Sequence, residues 1–197
     1  MNRHGKFVFL DRDGVINEDR EDYVKSWDEM VVIPAAMAGL KLLHQHRIRT
    51  IVITNQSGIS RGLITESGLR EMHHNLRKTV TACGGQIEAI YYCPHHPDAG
   101  CPCRKPGSAL FVQAAQEHGI DLDTTCYVGD SVKDIRAGQA LGMKTVLVLT
   151  GKGKRSLERL NTTDLDARPG AVVNDLWEAA CLILDLPVTH YSSSHQS

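Results

Sequence analysis

The sequence predicts an α/β fold built on a doubly wound, mostly parallel sheet, Rossmann-like in its core and without a separate cap domain. Three observations predict it: short β-branched or aromatic runs recur along the chain, amphipathic helical patterns separate them, and acidic or hydroxyl residues follow several runs at once. The strand candidates are residues 6–10, 48–54, 87–92, 125–128 and 144–149. They are nearly continuous in apolar character, as a sheet covered on both faces requires. The clearest helix places Leu69, Met72, His73, Leu76, Val80 and Cys83 at spacings of three and four, with Thr65 as N-cap and Gly84 past its end. Gly119 and Gly142 close two further helical stretches in the same manner. His44, His46, His73 and His74 fall on helical stretches and read as surface or packing residues.

A chain of 197 residues fits one domain, expected over residues 1–186, followed by a polar tail over 187–197 expected to be disordered. With 42% apolar and 23% charged residues the composition is that of a folded globular protein. Lys and Arg number 22 against 23 Asp and Glu, a formal charge of −1, so no general field draws the chain to nucleic acid or to an anionic membrane. The apolar run Phe7–Leu10 is too short for a signal peptide, and no stretch is long enough to span a bilayer. The expectation is a cytoplasmic monomer acting on a small molecule. In that setting the six cysteines read as thiols or metal ligands rather than disulfides. Cys83, Cys126 and Cys181 lie among apolar residues and are expected to pack as buried thiols.

Polar residues of catalytic type stand directly after the strand candidates: Asp11 and Asp13 after the first, Thr54 and Asn55 at the end of the second, Asp130 after the fourth. In an open parallel sheet the carboxyl ends of the strands form the ligand crevice, so these residues meet if their strands are neighbours. Converging carboxylates repel one another unless a cation is present, and oxygen ligands with room for water favour Mg²⁺. Taken singly, each residue has a blander reading, Asp130 for instance as a helix cap, but their common placement favours a site. A calcium loop does not fit, because Val15 and Ile16 occupy positions where an EF-hand needs an oxygen ligand and a glycine.

Cys93, His95, Cys101 and Cys103 form a second cluster, C-x-H…C-x-C, with His96 beside His95. Three thiolates and an imidazole suffice for a closed tetrahedral Zn²⁺ site, and a closed site is structural. Spacing alone does not choose between His95 and His96. Arg104 and Lys105 follow Cys103 directly, so a loop folded around zinc would aim both cations at the crevice.

The runs F-L-D-R-D-G-V-I at residues 9–16, T-N-Q-S-G at 54–58, C-R-K-P at 103–106 and V-G-D-S-x-x-D at 128–134 resemble, in order, the four motifs of haloacid dehalogenase superfamily phosphatases. The likeness is closest to their heptose bisphosphate phosphatase branch, with histidinol-phosphate phosphatases as near relatives. It implies Asp11 as the nucleophile towards phosphorus, Asp13 as general acid and then base, and Thr54 and Lys105 as phosphate ligands. It further implies Mg²⁺ held by Asp11, Asp130 and the backbone carbonyl of Asp13, and His95 as the zinc ligand. Asn55, Gln56 and Ser57 are implied on substrate, as is Arg104 on its second phosphate. Arg61, together with Asp19 and Asp22 in an acidic loop over residues 17–27, is a further candidate for substrate contact. Asp134 would support the metal shell or orient Lys105. Two departures bear on sugar and anomer preference: the zinc loop is short, and Ser131 stands where some members place lysine. A non-catalytic phospho-acceptor module is the competing class, but it has no need of a general acid at Asp13.

Overall fold

The structure, a computed structural model, describes residues 7–164, 166–188, 190 and 191. Its elements alternate along the chain: β1 (Phe7–Leu10), α1 (Pro34–Gln45), β2 (Arg49–Asn55), α2 (Glu66–Ala82), β3 (Ala89–Cys93), α3 (Ala109–His118), β4 (Cys126–Gly129), α4 (Val132–Ala140), β5 (Lys144–Val148), α5 (Gly153–Thr162), β6 (Ala171–Val173) and α6 (Leu176–Ile183). The six strands form one parallel sheet in the order β3-β2-β1-β4-β5-β6. All five expected strands are present within one or two residues of their expected bounds; Lys6 lies outside the described residues. β6 was not expected: its three residues are too few to show a period, and pairing with β5 holds them at the sheet edge.

Alternation along β1 divides the core between the two faces of the sheet. Val8 and Leu10 pack with Leu40 of α1, Met72 of α2 and Leu176 of α6. Phe7 and Phe9 pack with Phe111 of α3 and Tyr127 of β4 on the other face. Phe9 and Phe111 meet edge-on with centroids 5.4 Å apart, an arrangement that contributes about 0.5–1.5 kcal/mol beyond area burial. Thr65 caps α2 as expected, its Oγ1 accepting from Gly68 N at 3.0 Å, and Gly84 follows with φ +83°. Cys83 departs from expectation: as the last residue of that amphipathic run it is the C-cap and lies exposed, whereas Cys181 is buried.

The tail is anchored further along than expected. His190 Nδ1 lies 2.6 Å from Glu178 Oε1, and the Tyr191 ring meets Trp177 edge-on. Residues 189 and 192–197 of that segment lie outside the described residues. Among the described residues, no helix is long and apolar enough to cross a membrane.

Candidate active site

The strand order reverses between β1 and β4, since β2 and β3 extend the sheet to one side of β1 while β4, β5 and β6 extend it to the other. That switch point opens a crevice at the carboxyl ends of the strands. Asp11 leaves β1 and Asp130 leaves β4 at the floor of a cleft of about 540 Å³, which Thr54, Asn55, Gln56 and Ser57 border from the β2 side.

Lys105 reaches this floor from the loop before α3. Its Nζ lies 2.7 Å from Asp11 Oδ2 and 2.8 Å from Asp134 Oδ1, and donates to Ile53 O at 3.0 Å and Tyr127 Oη at 2.9 Å. An ammonium has three N–H donors, so four acceptors hold it with none to spare. Tyr127 in turn donates to Asp134 Oδ1 at 2.7 Å, and the other Asp134 oxygen accepts from Ser131 N at 3.0 Å and Ser131 Oγ at 2.6 Å. Asp134 is thus filled by protein donors and orients Lys105. Asn55 fixes the same loop, exchanging hydrogen bonds with the Lys105 backbone at 3.0 and 3.2 Å. The sequence offered no sign of Tyr127, which looked like any aromatic in a strand.

The two carboxylates of the first motif sit in different surroundings. Asp11 is 9% exposed, with Oδ1 accepting from Arg12 N at 2.7 Å. Burial pushes its carboxyl up to about 7, against the pull of Lys105. Asp13 is caged by donors: Arg12 Nε and Nη2 on Oδ1 at 3.1 and 2.8 Å, Nη2 also on Oδ2 at 3.0 Å, Asn17 Nδ2 at 2.9 Å and Gln56 Nε2 at 2.8 Å. Burial would raise its carboxyl, but the Arg12 charge and these hydrogen bonds hold it below the usual range. Gln56 also donates to Thr54 Oγ1 at 2.9 Å and so joins the Asp13 cage to the end of β2.

Asp130 is 2% exposed and accepts from the backbone N–H of Lys152 at 2.7 Å. Its carboxyl is pushed well above the ordinary range, by burial first and then by the charges of Asp134 and Asp11. Carboxylate oxygens of Asp11, Asp130 and Asp134 lie within 4.8 Å of one another. A Cβ on Gly14 would stand 2.0 Å from Asp130 Oδ2, and one on Gly151 would stand 2.3 Å from it. Only glycine lets the backbone approach so closely, and both positions have positive φ. Lys105 offsets only part of this convergent acidic charge, and the oxygens of Asp11 and Asp130 fit a hard divalent cation.

The rim carries more positive charge than the motif residues Arg104 and Lys105 supply. Lys133 and Arg136 from α4, Lys152, and Arg155 and Arg159 from α5 also line the cleft. Burial, then Arg104 and Lys152, lower the Lys133 ammonium below its ordinary value. Of the acidic loop, Asp19 lines the cleft but is paired with Lys152 Nζ at 2.7 Å. Asp22 points elsewhere: it is exposed and paired with Arg20 at 3.0 Å and Lys25 at 2.6 Å. Arg61 is also outside the lining, with its guanidinium 6.0 Å from the Tyr23 ring centroid.

The second cluster converges beside this cleft. His95 Nδ1 lies 3.3 Å from Cys103 Sγ and 3.6 Å from Cys93 Sγ, while Cys103 Sγ is 2.8 Å from Cys101 Sγ and 3.0 Å from Cys93 Sγ. His96 turns away and places Nδ1 3.3 Å from Asp98 Oδ2. Three sulfurs and one ring nitrogen within 4.8 Å of one another are a donor set suited to tetrahedral zinc.

A HAD-hydrolase-like family model matches residues 102–179. The chain is 45% identical over 150 residues to the D-glycero-β-D-manno-heptose-1,7-bisphosphate 7-phosphatase of Pseudomonas aeruginosa, covering 76% of this chain and 84% of that one. It is 44% identical over 154 residues to the enzyme of the same name from Pseudomonas putida, covering 78% and 88%. Among solved structures, the D,D-heptose 1,7-bisphosphate phosphatase of Bordetella bronchiseptica complexed with magnesium and phosphate superposes with a TM-score of 0.85 at 35% identity, over 91% of this chain and 98% of that one.

Proposed function

The chain belongs to the D-glycero-D-manno-heptose-1,7-bisphosphate 7-phosphatase family of HAD-like hydrolases, and from that premise we propose that it removes the 7-phosphate of the β-anomer of the heptose bisphosphate by way of an aspartyl-phosphate on Asp11. The observation that carries this reading is the contrast between Asp11, paired with a single ammonium at the cleft floor, and Asp13, caged by a guanidinium and two amides. Environments that separate two carboxylates assign them different work.

Asp11 attacks phosphorus, and Lys105 balances charge on it and on the transferred phosphoryl group. Thr54 supplies a hydroxyl to the phosphoryl oxygens. The arriving phosphate dianion is a like charge and raises the Asp13 pKa, so Asp13 takes up a proton, delivers it to the leaving oxygen, and is returned to its ionised form. In that form it accepts a proton from the water that hydrolyses the acyl phosphate. Arg104, with Lys133 beside it at the rim, holds the 1-phosphate. Asn55 and Gln56 serve as positioning residues, on Lys105 and Asp13 respectively. Asp11, Asp130 and the carbonyl of Asp13 would hold Mg²⁺, which when bound offsets repulsion between the carboxylates and the phosphate. Cys93, His95, Cys101 and Cys103 would hold zinc and brace the loop that presents Arg104 and Lys105. The same reading takes residues 1–186 as one capless domain and the enzyme as a cytoplasmic monomer.

Phosphate release with Mg²⁺ from both heptose 1,7-bisphosphate anomers, fructose 1,6-bisphosphate and histidinol phosphate tests the reading. The β-heptose bisphosphate should give the highest kcat/KM. A preference for histidinol phosphate would overturn the substrate assignment.

A further inference from the structure

The Arg12 side chain lies between the two catalytic aspartates in sequence yet is 1% exposed, and the mechanism above uses only its edge towards Asp13. Its remaining terminal nitrogen, Nη1, lies 3.0 Å from Nε2 of His73, a residue 7% exposed on α2 that reaches Arg12 from behind the cleft floor. A guanidinium has donors and no acceptor. His73 Nε2 must therefore be the acceptor, which fixes a neutral ring with its proton on Nδ1. The ring is also held by packing, meeting Tyr92 of β3 edge-on at 5.8 Å. The charged groups facing it are Arg12 and, beyond it, Asp13, and burial first and Arg12 second keep the ring from gaining a proton. Read as one unit, the elements form a chain from α2 through His73 and Arg12 to both oxygens of Asp13.

We propose that His73 is a positioning residue for catalysis: by accepting from Nη1 it sets the plane of the Arg12 guanidinium, and through that the orientation of the Asp13 carboxylate. This rests on the reading of Asp13 as the acid and base of phosphoryl transfer. The physical argument is geometric. A planar fork bonds both carboxylate oxygens at one orientation, and a long, buried side chain with a free end could rotate out of it. His73 removes that freedom at the far end, where no substrate reaches.

The test exploits which nitrogen is used. A glutamine at position 73 can place its carbonyl oxygen where Nε2 stands; an asparagine is too short to do so. Steady-state kinetics of His73→Gln, His73→Asn and His73→Leu with heptose bisphosphate should show kcat lowered about tenfold or more in the Asn and Leu variants, with KM within about twofold, and largely restored in His73→Gln. Val80→Ala, a destabilised control on the same helix face, should keep wild-type kcat. Equal loss in Gln and Asn, a KM effect in place of the kcat effect, or the same loss in Val80→Ala would overturn the proposal. Should His73→Leu not fold, the Gln and Asn pair carries the comparison. If the wild type proves to prefer another phosphomonoester, the substrate reading fails alone, and the same comparison is read on that substrate.

Discussion

Lys105 Nζ lies 2.7 Å from Asp11 Oδ2, at a point where the loop after the cysteine cluster meets the end of the first strand. The pair is nearly sealed, with side-chain exposures of 2% and 12%. An ion pair in such surroundings stabilises little by itself, because desolvation offsets attraction, but breaking it leaves a buried charge without a partner. In the proposed mechanism, stability and catalysis are therefore tied to one ammonium.

Lys105→Met should lower unfolding free energy by about 3–5 kcal/mol, the range for removing one member of a buried pair, and should abolish phosphate release. Asp11→Asn should behave differently. Lys105 retains Asp134, Ile53 O and Tyr127, so the fold should survive while turnover falls at least about 10⁴-fold, an amide being unable to form the acyl phosphate. Urea denaturation and phosphate release together check both variants. Turnover by folded Asp11→Asn near the wild-type rate would remove the aspartyl-phosphate route.

The buried imidazole gives a pH signature. His73 is lowered from 6.5 to about 3, by burial and then by Arg12. Its folded form binds fewer protons than the unfolded chain between those values, so its contribution is complete above about 6.5 and is lost as pH falls towards about 3. At pH 5 the loss should be about 2 kcal/mol relative to pH 8. Asp11 shifts the other way, being raised to about 7, and stabilises the folded form as pH falls. Comparing wild type with His73→Gln at each pH cancels that second contribution. The stability advantage of wild type should shrink on acidification; an unchanging difference between pH 8 and pH 5 would contradict a neutral, buried His73.

Much of this site was legible because strand ends carry their chemistry with them. Asp11, Thr54 and Asp130 each follow an apolar run, and parallel order alone brings them together. What sequence did not reveal are contacts made across elements by residues whose local pattern has a bland meaning. His73 occupies a core position of a helical stripe and Tyr127 a core position of a strand, and only packing shows that one meets Arg12 and the other Lys105. Lys152 escaped notice because its backbone N–H holds Asp130 while its side chain takes Asp19, two roles that no motif spacing encodes. The choice of His95 over His96 likewise depends on a 3-10 turn over Pro97–Ala99, whose N-cap is His96.

The cysteine cluster should carry about one tightly bound zinc per chain. Cys101→Ser and Cys103→Ser should each lower that content and the melting temperature, because the four donors close the loop against β3, where Cys93 is wholly buried. The same variants should raise KM for bisphosphate, since Arg104 and Lys105 leave the loop immediately after Cys103. Full zinc content and unchanged melting in both variants, by elemental analysis and calorimetry, would rule out the cluster as a metal site.

Arg104→Ala should weaken turnover of a bisphosphate far more than of a monophosphate. The Arg104 guanidinium donates to His95 O across 3.4 Å, a long contact that leaves most of its fork free towards the cleft. Lys133 shares the rim, and its lowered ammonium, due first to burial and next to Arg104, marks a concentration of positive charge that a spectator phosphate would relieve. A charged hydrogen bond contributes about 1.5–3 kcal/mol, so the ratio of kcat/KM between heptose bisphosphate and its 7-monophosphate should fall roughly ten- to a hundredfold in Arg104→Ala. Lys133→Ala should lower the same ratio by less, because Lys133 is only partly withdrawn from water and solvent still screens much of its charge. Lys105→Met, in contrast, should harm both substrates alike, since in the proposed mechanism Lys105 balances charge on the transferred group in each. Equal loss on the two substrates in Arg104→Ala would place that guanidinium at the reacting phosphate or in the scaffold of the loop, and the case for a second phosphate at this rim would fall with it.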